Sequence, residues 1–100
     1  MQKITVEIDG VEIYPFEYSK HGSWKMYLLG YKENHQNMHD IRTGEVESFS
    51  TVLFNNPELA ENEDFKKEMS FFEIALKKEK ASLKWVDLEL AKLPVYDPFI

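Results

Sequence analysis

The chain has 100 residues, enough for a single domain with one modest hydrophobic core. It contains no cysteine, which excludes disulfide bonds, thiolate metal ligands and a thiol nucleophile. A formal net charge of −6 argues against nucleic-acid binding, because that binding depends largely on Lys and Arg side chains that neutralise phosphates.

The first predicted element is a β-hairpin. Residues 3–8 read KITVEI and alternate between polar and apolar side chains, which is typical of a strand with one buried face. The following pair, Asp9-Gly10, is typical of a two-residue type I′ turn, in which both residues have positive φ. Such a turn predicts two apolar cross-strand pairs on the same face: Ile8 with Val11, and Val6 with Ile13.

Further strands are predicted up to residue 55. We expect a turn at KHG, residues 20–22, and then a central strand, SWKMYLLGY, with apolar side chains on both faces. A loop around residues 34–37 leads to the strand MHDIR, a turn at Thr43-Gly44 and the strand EVESFSTVLF. Residues 1–55 are therefore predicted to form an antiparallel β-meander of about four or five strands.

The second half of the chain is predicted to be helical over residues 56–93. Asn56-Pro57 is a helix start signal, and Asn62 is a competing N-cap that would leave residues 57–61 as a separate turn. A helix of about 30 residues spans about 45 Å, whereas a compact domain of this size is roughly 33 Å across. The helix therefore either overhangs the sheet or breaks at KKEKAS, residues 77–82.

The predicted fold class is α+β, with the chain forming one domain over residues 1–100. The β-meander covers residues 1–55, the amphipathic helix packs on one face of its sheet, and residues 94–100 form a C-terminal tail. The apolar residues of this tail, within VYDPFI, are expected to pack back on the core or to bind a partner.

The predicted helix carries two apolar stripes, although a surface helix normally has one. The first stripe, expected to pack on the sheet, contains Phe65, Met69, Phe72, Leu76, Leu83, Val86, Leu90 and Leu93. The second stripe, on the opposite side, contains Phe71, Ile74, Lys78, Ala81, Trp85, Leu88 and Lys92. We predict that the second stripe is a protein-binding surface, either for a second copy of the chain or for a different protein; burial within the chain is the third alternative.

His35 and His39 are four residues apart, with Asp40 beside them. This spacing suits a metal site when both histidines lie on one helix face. Our strand assignment instead puts His35 in a loop and His39 on the next strand, which fixes no common geometry. We therefore expect a solvated turn, with no bound metal, no cofactor and no catalytic residue.

The function predicted from these features is binding without catalysis. No stretch approaches the roughly 18 apolar residues of a membrane helix, and the N-terminus has no secretory signal, so a cytoplasmic protein with no membrane partner is expected. Small size, acidity and a spare apolar stripe are typical of an inhibitor or immunity-type protein, encoded by a phage or another mobile element, that occludes a protein target. The alternative is a structural subunit of a homo-oligomer or of a phage particle.

Overall fold

The computed structural model describes residues 2–17 and 24–93, and two long helices make up most of this part of the chain. Helix α1 covers Trp24–Asn55 and helix α2 covers Glu63–Ala91, with a short 3-10 turn at Pro57–Glu61 between them. Four short strands come first: β1 (Gln2–Lys3), β2 (Val6–Ile8), β3 (Val11–Ile13) and β4 (Phe16–Glu17). The protein is therefore mainly α-helical, and the predicted α+β fold with a meander of four or five strands is wrong.

The N-terminal β-hairpin has the predicted turn and register. Strands β2 and β3 are antiparallel, with Val6 opposite Ile13 and Ile8 opposite Val11. Asp9 and Gly10 have φ values of 51° and 80°, as a type I′ turn requires. The two-residue strands β1 and β4 continue the same pairing towards the chain start. Local turn chemistry and period-two alternation were sufficient to predict this element.

Helix α1 replaces the strands that we predicted between residues 23 and 54. Its less exposed side chains recur at spacings of four and three, which is the period of a helix that packs along a partner helix. This row contains Trp24, Leu28, Tyr31, His35, Met38, Arg42, Glu45, Phe49 and Leu53. Three of its members are polar, so the helical period is hard to recognise from apolar residues alone. The Thr43-Gly44 pair, predicted as a turn, lies inside the helix.

Helix α2 is continuous through residues 77–82, where a break was one of our two alternatives. Asn62 caps it, because its side-chain oxygen accepts a hydrogen bond of 2.9 Å from the Phe65 N–H. Residues 57–61 form a separate 3-10 turn, as the competing cap predicted. The helices run antiparallel, and the described molecule measures 58 × 21 × 19 Å, which is elongated for its size.

The buried core lies at one end of this elongated molecule. Five apolar residues from three elements are almost fully buried: Ile13, Leu28, Ala81, Trp85 and Val86. We call the part of the helix pair next to the β-hairpin, residues 24–38 and 79–93, the proximal half. The distal half, residues 39–78, contains only half-buried and exposed side chains. The predicted KHG turn, with His21, and the tail at 94–100 lie outside the described residues.

The position of Gly44 within α1 gives a direct test of the helix. A Cβ atom added there meets no heavy atom within 4 Å, so the Gly44→Ala substitution removes the helix penalty of glycine without a clash. We expect the free energy of unfolding to rise by about 1 kcal/mol, measured by urea denaturation. The Gly30→Ala variant, which is also unobstructed, is the matched control and should behave alike. A loss of stability in both variants would contradict the helix.

Gly10 gives the opposite expectation, because its φ is positive. Gly10→Val places a β-branched side chain in the left-handed region, where it is strongly disfavoured. We expect a loss of about 1–2 kcal/mol in the free energy of unfolding, measured in the same urea titration. Unchanged stability would mean that the turn contributes nothing to folding.

Candidate functional site

The first stripe of α2 packs along α1 for the length of the helix pair. In the distal half, the Phe49 ring lies 5.5 Å from the Phe65 ring and 5.2 Å from the Phe72 ring, centroid to centroid. In the proximal half, Val86 and Leu28 are completely buried together. The stripe that we assigned to the sheet is thus covered mainly by a second helix of matching length.

The β-hairpin covers the middle of the second stripe. Ala81 and Trp85 lie in the core with Ile13 of β3, and only 4% of Trp85 is exposed. The Trp85 ring also contacts α1, at 5.1 Å from the Tyr31 ring and 6.2 Å from the Trp24 ring. These two residues of the predicted binding surface are therefore buried within the chain, the third of our alternatives.

A salt bridge holds the tip of the β-hairpin on α2. The Nζ atom of Lys84 donates to Asp9, with a distance of 2.8 Å to Oδ2. Both side chains are more than half exposed, so this ion pair adds orientation more than stability. The apolar contacts beneath the strands are what hold the β-hairpin in place.

The remaining members of the second stripe lie on either side of the β-hairpin. Phe71 and Ile74, in the distal half, are 63% and 52% exposed, and Leu88, in the proximal half, is 49% exposed. Lys78 borders a pocket under the β-hairpin, and Lys92 donates to Glu89 at 2.6 Å. The structure thus divides the predicted surface into a covered centre and uncovered ends.

Helix α1 adds exposed apolar residues to the uncovered distal part, and Ile41 is the one nearest the β-hairpin. Ile41 is 53% exposed. It lies 14 residues, about four helical turns, after Tyr27, and therefore on about the same side of α1. Tyr27 borders the pocket under the β-hairpin. The contact of His35 with Glu79 puts Ile41 level with the region of Ile74. We call Ile41, Phe71 and Ile74 the distal face. Sequence reasoning missed Ile41 because it was assigned to a strand.

The two histidines lie on one helix, which corrects the predicted loop. The Nδ1–H of His35 donates to Oε2 of Glu79 at 2.7 Å across the helix pair, and the His35 ring lies 4.1 Å from the Tyr31 ring. The His39 ring contacts the adjacent Asp40, with 3.4 Å between Nδ1 and Oδ1. In residues 2–17 and 24–93, no three His, Asp or Glu side chains are grouped so that they could hold a metal ion.

Polar contacts fix how the two helices align. Besides the His35–Glu79 contact, Lys32 and Asp87 form an ion pair of 2.8 Å between α1 and α2. The Arg42 guanidinium lies 5.8 Å from the centre of the Phe72 ring, a cation–π contact within the seam. Polar groups at such positions favour one register over the others, because any other register leaves them unpaired.

Comparison with known protein families, with curated proteins and with solved structures gives no match for this chain. Neither long helix, within the part of the chain that the structure describes, has an apolar stretch sufficient to span a bilayer. The mainly helical fold with its small β-hairpin gives no evidence for an inhibitor or a phage protein, and neither is proposed again. Binding to a protein remains a proposal.

The burial of Trp85 determines the expected result of truncating it. Trp85→Ala should lower the free energy of unfolding by about 3–5 kcal/mol, because it removes the ring that joins three elements of the core. Thermal unfolding followed by circular dichroism measures the loss. Leu88→Ala, on the same stripe but half exposed, is the control and should cost much less. Equal effects of the two substitutions would contradict the position of the β-hairpin.

Proposed function

We propose that this protein is a non-catalytic protein-binding module, and that its partner is a second copy of the same chain. Two copies join through their distal faces and form a four-helix bundle. The observation that supports this proposal is the uneven burial along the helix pair. Every fully buried apolar residue among those described lies beside the β-hairpin, and none lies in the distal half.

A pair of helices has a single seam and needs a further layer to bury a second apolar stripe. In the proximal half the β-hairpin is that layer, and it covers Ala81 and Trp85. In the distal half the same stripe continues with Ile74 and Phe71, and no described residue covers it. A second helix pair has the shape to fill this position along both helices.

Charge along α2 favours a second copy over an unrelated partner. Glu63 and Asp64 begin the helix, whereas Lys77 and Lys78 lie 14 residues further on. Two antiparallel α2 helices related by a twofold axis at Phe71 bring Asp64 level with Lys78 of the partner subunit, since both lie seven residues from Phe71. The pairing then repeats on the other side of the axis, as an isologous contact requires.

The distal face is also large enough for such a contact. The distal half is about 25 Å long, from 17 residues at 1.5 Å each, and the molecule is 21 Å wide. The projected area of the distal half is therefore on the order of 500 Å² per copy. The solvent-accessible surface of this uneven face is larger than its projection. This is near the roughly 800 Å² per partner of a standard interface and above most crystal contacts.

Sedimentation equilibrium tests the proposal with two variants of matched exposure. Ile74→Gln, on the distal face, should weaken dimerisation at least about tenfold, because it removes apolar burial near the twofold axis. Leu88→Gln, an equally exposed residue of the same stripe in the proximal half, should leave the dimer constant unchanged. Circular dichroism checks that both variants remain helical.

Two results would contradict the proposed dimer. One is sedimentation of the unaltered protein as a monomer throughout the micromolar range, and the other is equal weakening of association by the two variants. A monomer that binds a different protein through Ile74 would show a hetero-complex instead.

Raised salt should also weaken the dimer, because the pairing of Asp64 with Lys78 is exposed and is therefore screened by salt.

A further inference from the structure

An open pocket of about 480 Å³ lies between the β-hairpin and the two helices, at the distal edge of the proximal half. It does not include the three residues of the distal face, although Lys78 at its edge also takes part in the charge pairing of the proposed dimer. Its lining comes from three elements: Glu12, Ile13, Tyr14 and Pro15 of the β-hairpin; Tyr27, Tyr31 and His35 of α1; and Lys78, Glu79 and Ser82 of α2. The volume is within the range of sites for small ligands.

Aromatic rings form one side of this pocket. The Tyr27 and Tyr31 rings lie 5.9 Å apart, and the His35 ring follows 4.1 Å beyond Tyr31. Burial raises the pKa of Tyr31, so its phenol stays protonated at neutral pH, and its hydroxyl group is hydrogen-bonded to the Ser82 side chain. The helix pair thus holds these aromatic rings in a fixed position.

The charges around the pocket are unbalanced towards the negative. Two carboxylates line it, Glu12 and Glu79, against one ammonium group, that of Lys78. Glu79 is only 15% exposed and accepts a hydrogen bond from His35, which holds its carboxylate in place. Lys78 is exposed and flexible, so it can turn away from the pocket at little cost.

Glu12 also has an unfavourable neighbour on the β-hairpin. The register of β2 and β3 puts it directly opposite Glu7, and both side chains are exposed. Like charges at such a cross-strand position are destabilising. A cation bound beside Glu12 would relieve this repulsion, whereas a bound anion would increase it.

We infer that this pocket binds a small organic cation, a quaternary ammonium or a guanidinium group, between its tyrosine rings and its two carboxylates. Aromatic faces attract such cations through their quadrupole, and nearby carboxylates add a Coulombic attraction. The mostly apolar lining suits the alkyl groups of an ammonium ion better than a hydrated metal ion. The cation is either a free small molecule or the modified side chain of a peptide.

Titrations followed by NMR of the tyrosine ring protons test this inference. Tetramethylammonium and methylguanidinium are the probes, and tert-butanol is the neutral control of similar size. We expect saturable shifts of the tyrosine signals with at least one of the two cations and none with tert-butanol. Capped trimethyllysine separates the two sources: tighter binding than tetramethylammonium indicates a peptide side chain, and weaker binding indicates a free cation.

Charge variants give the sign of the interaction. Glu12→Gln should weaken cation binding by about two- to fivefold, and Lys78→Gln should strengthen it by a similar factor. Lys77→Gln, which makes the same charge change one residue away from the pocket lining, is the control and should have little effect. Glu12, unlike Lys78, has no part in the proposed dimer contact, so its variant also separates this inference from the proposed dimer.

Three results would overturn the inference. They are the absence of saturable shifts with both cations, equal binding of tert-butanol, and weaker cation binding after Lys78→Gln. The last result would mean that the charges lining the pocket do not control cation binding. None of the three affects the sedimentation result for Ile74→Gln, so the two proposals fail independently.

Discussion

The structure depends on the burial of Trp85, because this residue is where the three elements meet. Its ring contacts Trp24 and Tyr31 of α1, while the β-hairpin closes over it from the other side. Aromatic contacts of this kind add to the gain from apolar burial. A pair of long helices alone would have one helix–helix interface but no core enclosed on several sides. The β-hairpin converts one end of that pair into a small three-sided core.

The length of α2 imposes a second constraint. A helix of 29 residues extends about 43 Å, and no sheet formed by a short β-hairpin can cover its first stripe. A partner of equal length is required, and α1, with 32 residues, is the element that provides it. We noticed the excess length of this helix in the sequence but expected an overhang or a break. The excess length and the unbroken first stripe, taken together, favour a second helix of similar length as the packing partner.

Sequence reasoning succeeded where the determining interactions are local. Asp9-Gly10 sets the turn of the β-hairpin, and Asn62 sets the start of α2, so both were predicted. Helix α1 was missed because its seam contains His35, Arg42 and Glu45, and because its Trp, Tyr, Phe and Val residues favour strands in short windows. Arg42 and Glu45 form an ion pair of 2.7 Å within α1, whereas His35 gains its contact with Glu79 only after the helices pair. The pocket likewise depends on three elements that are distant in the sequence.

The second stripe shows how one sequence pattern can serve two different contacts. Its spacing continues unchanged from Phe71 to Leu88, so the sequence predicted a single surface. The β-hairpin is too short to cover all of it, and it therefore buries Ala81 and Trp85 and leaves Phe71 and Ile74 exposed. Residues at the covered centre contribute to folding, and residues at the uncovered distal end contribute little to it. The part of each side chain that folding leaves exposed keeps its hydrophobic gain for association, which is the physical basis for our proposal that the distal face is the binding surface.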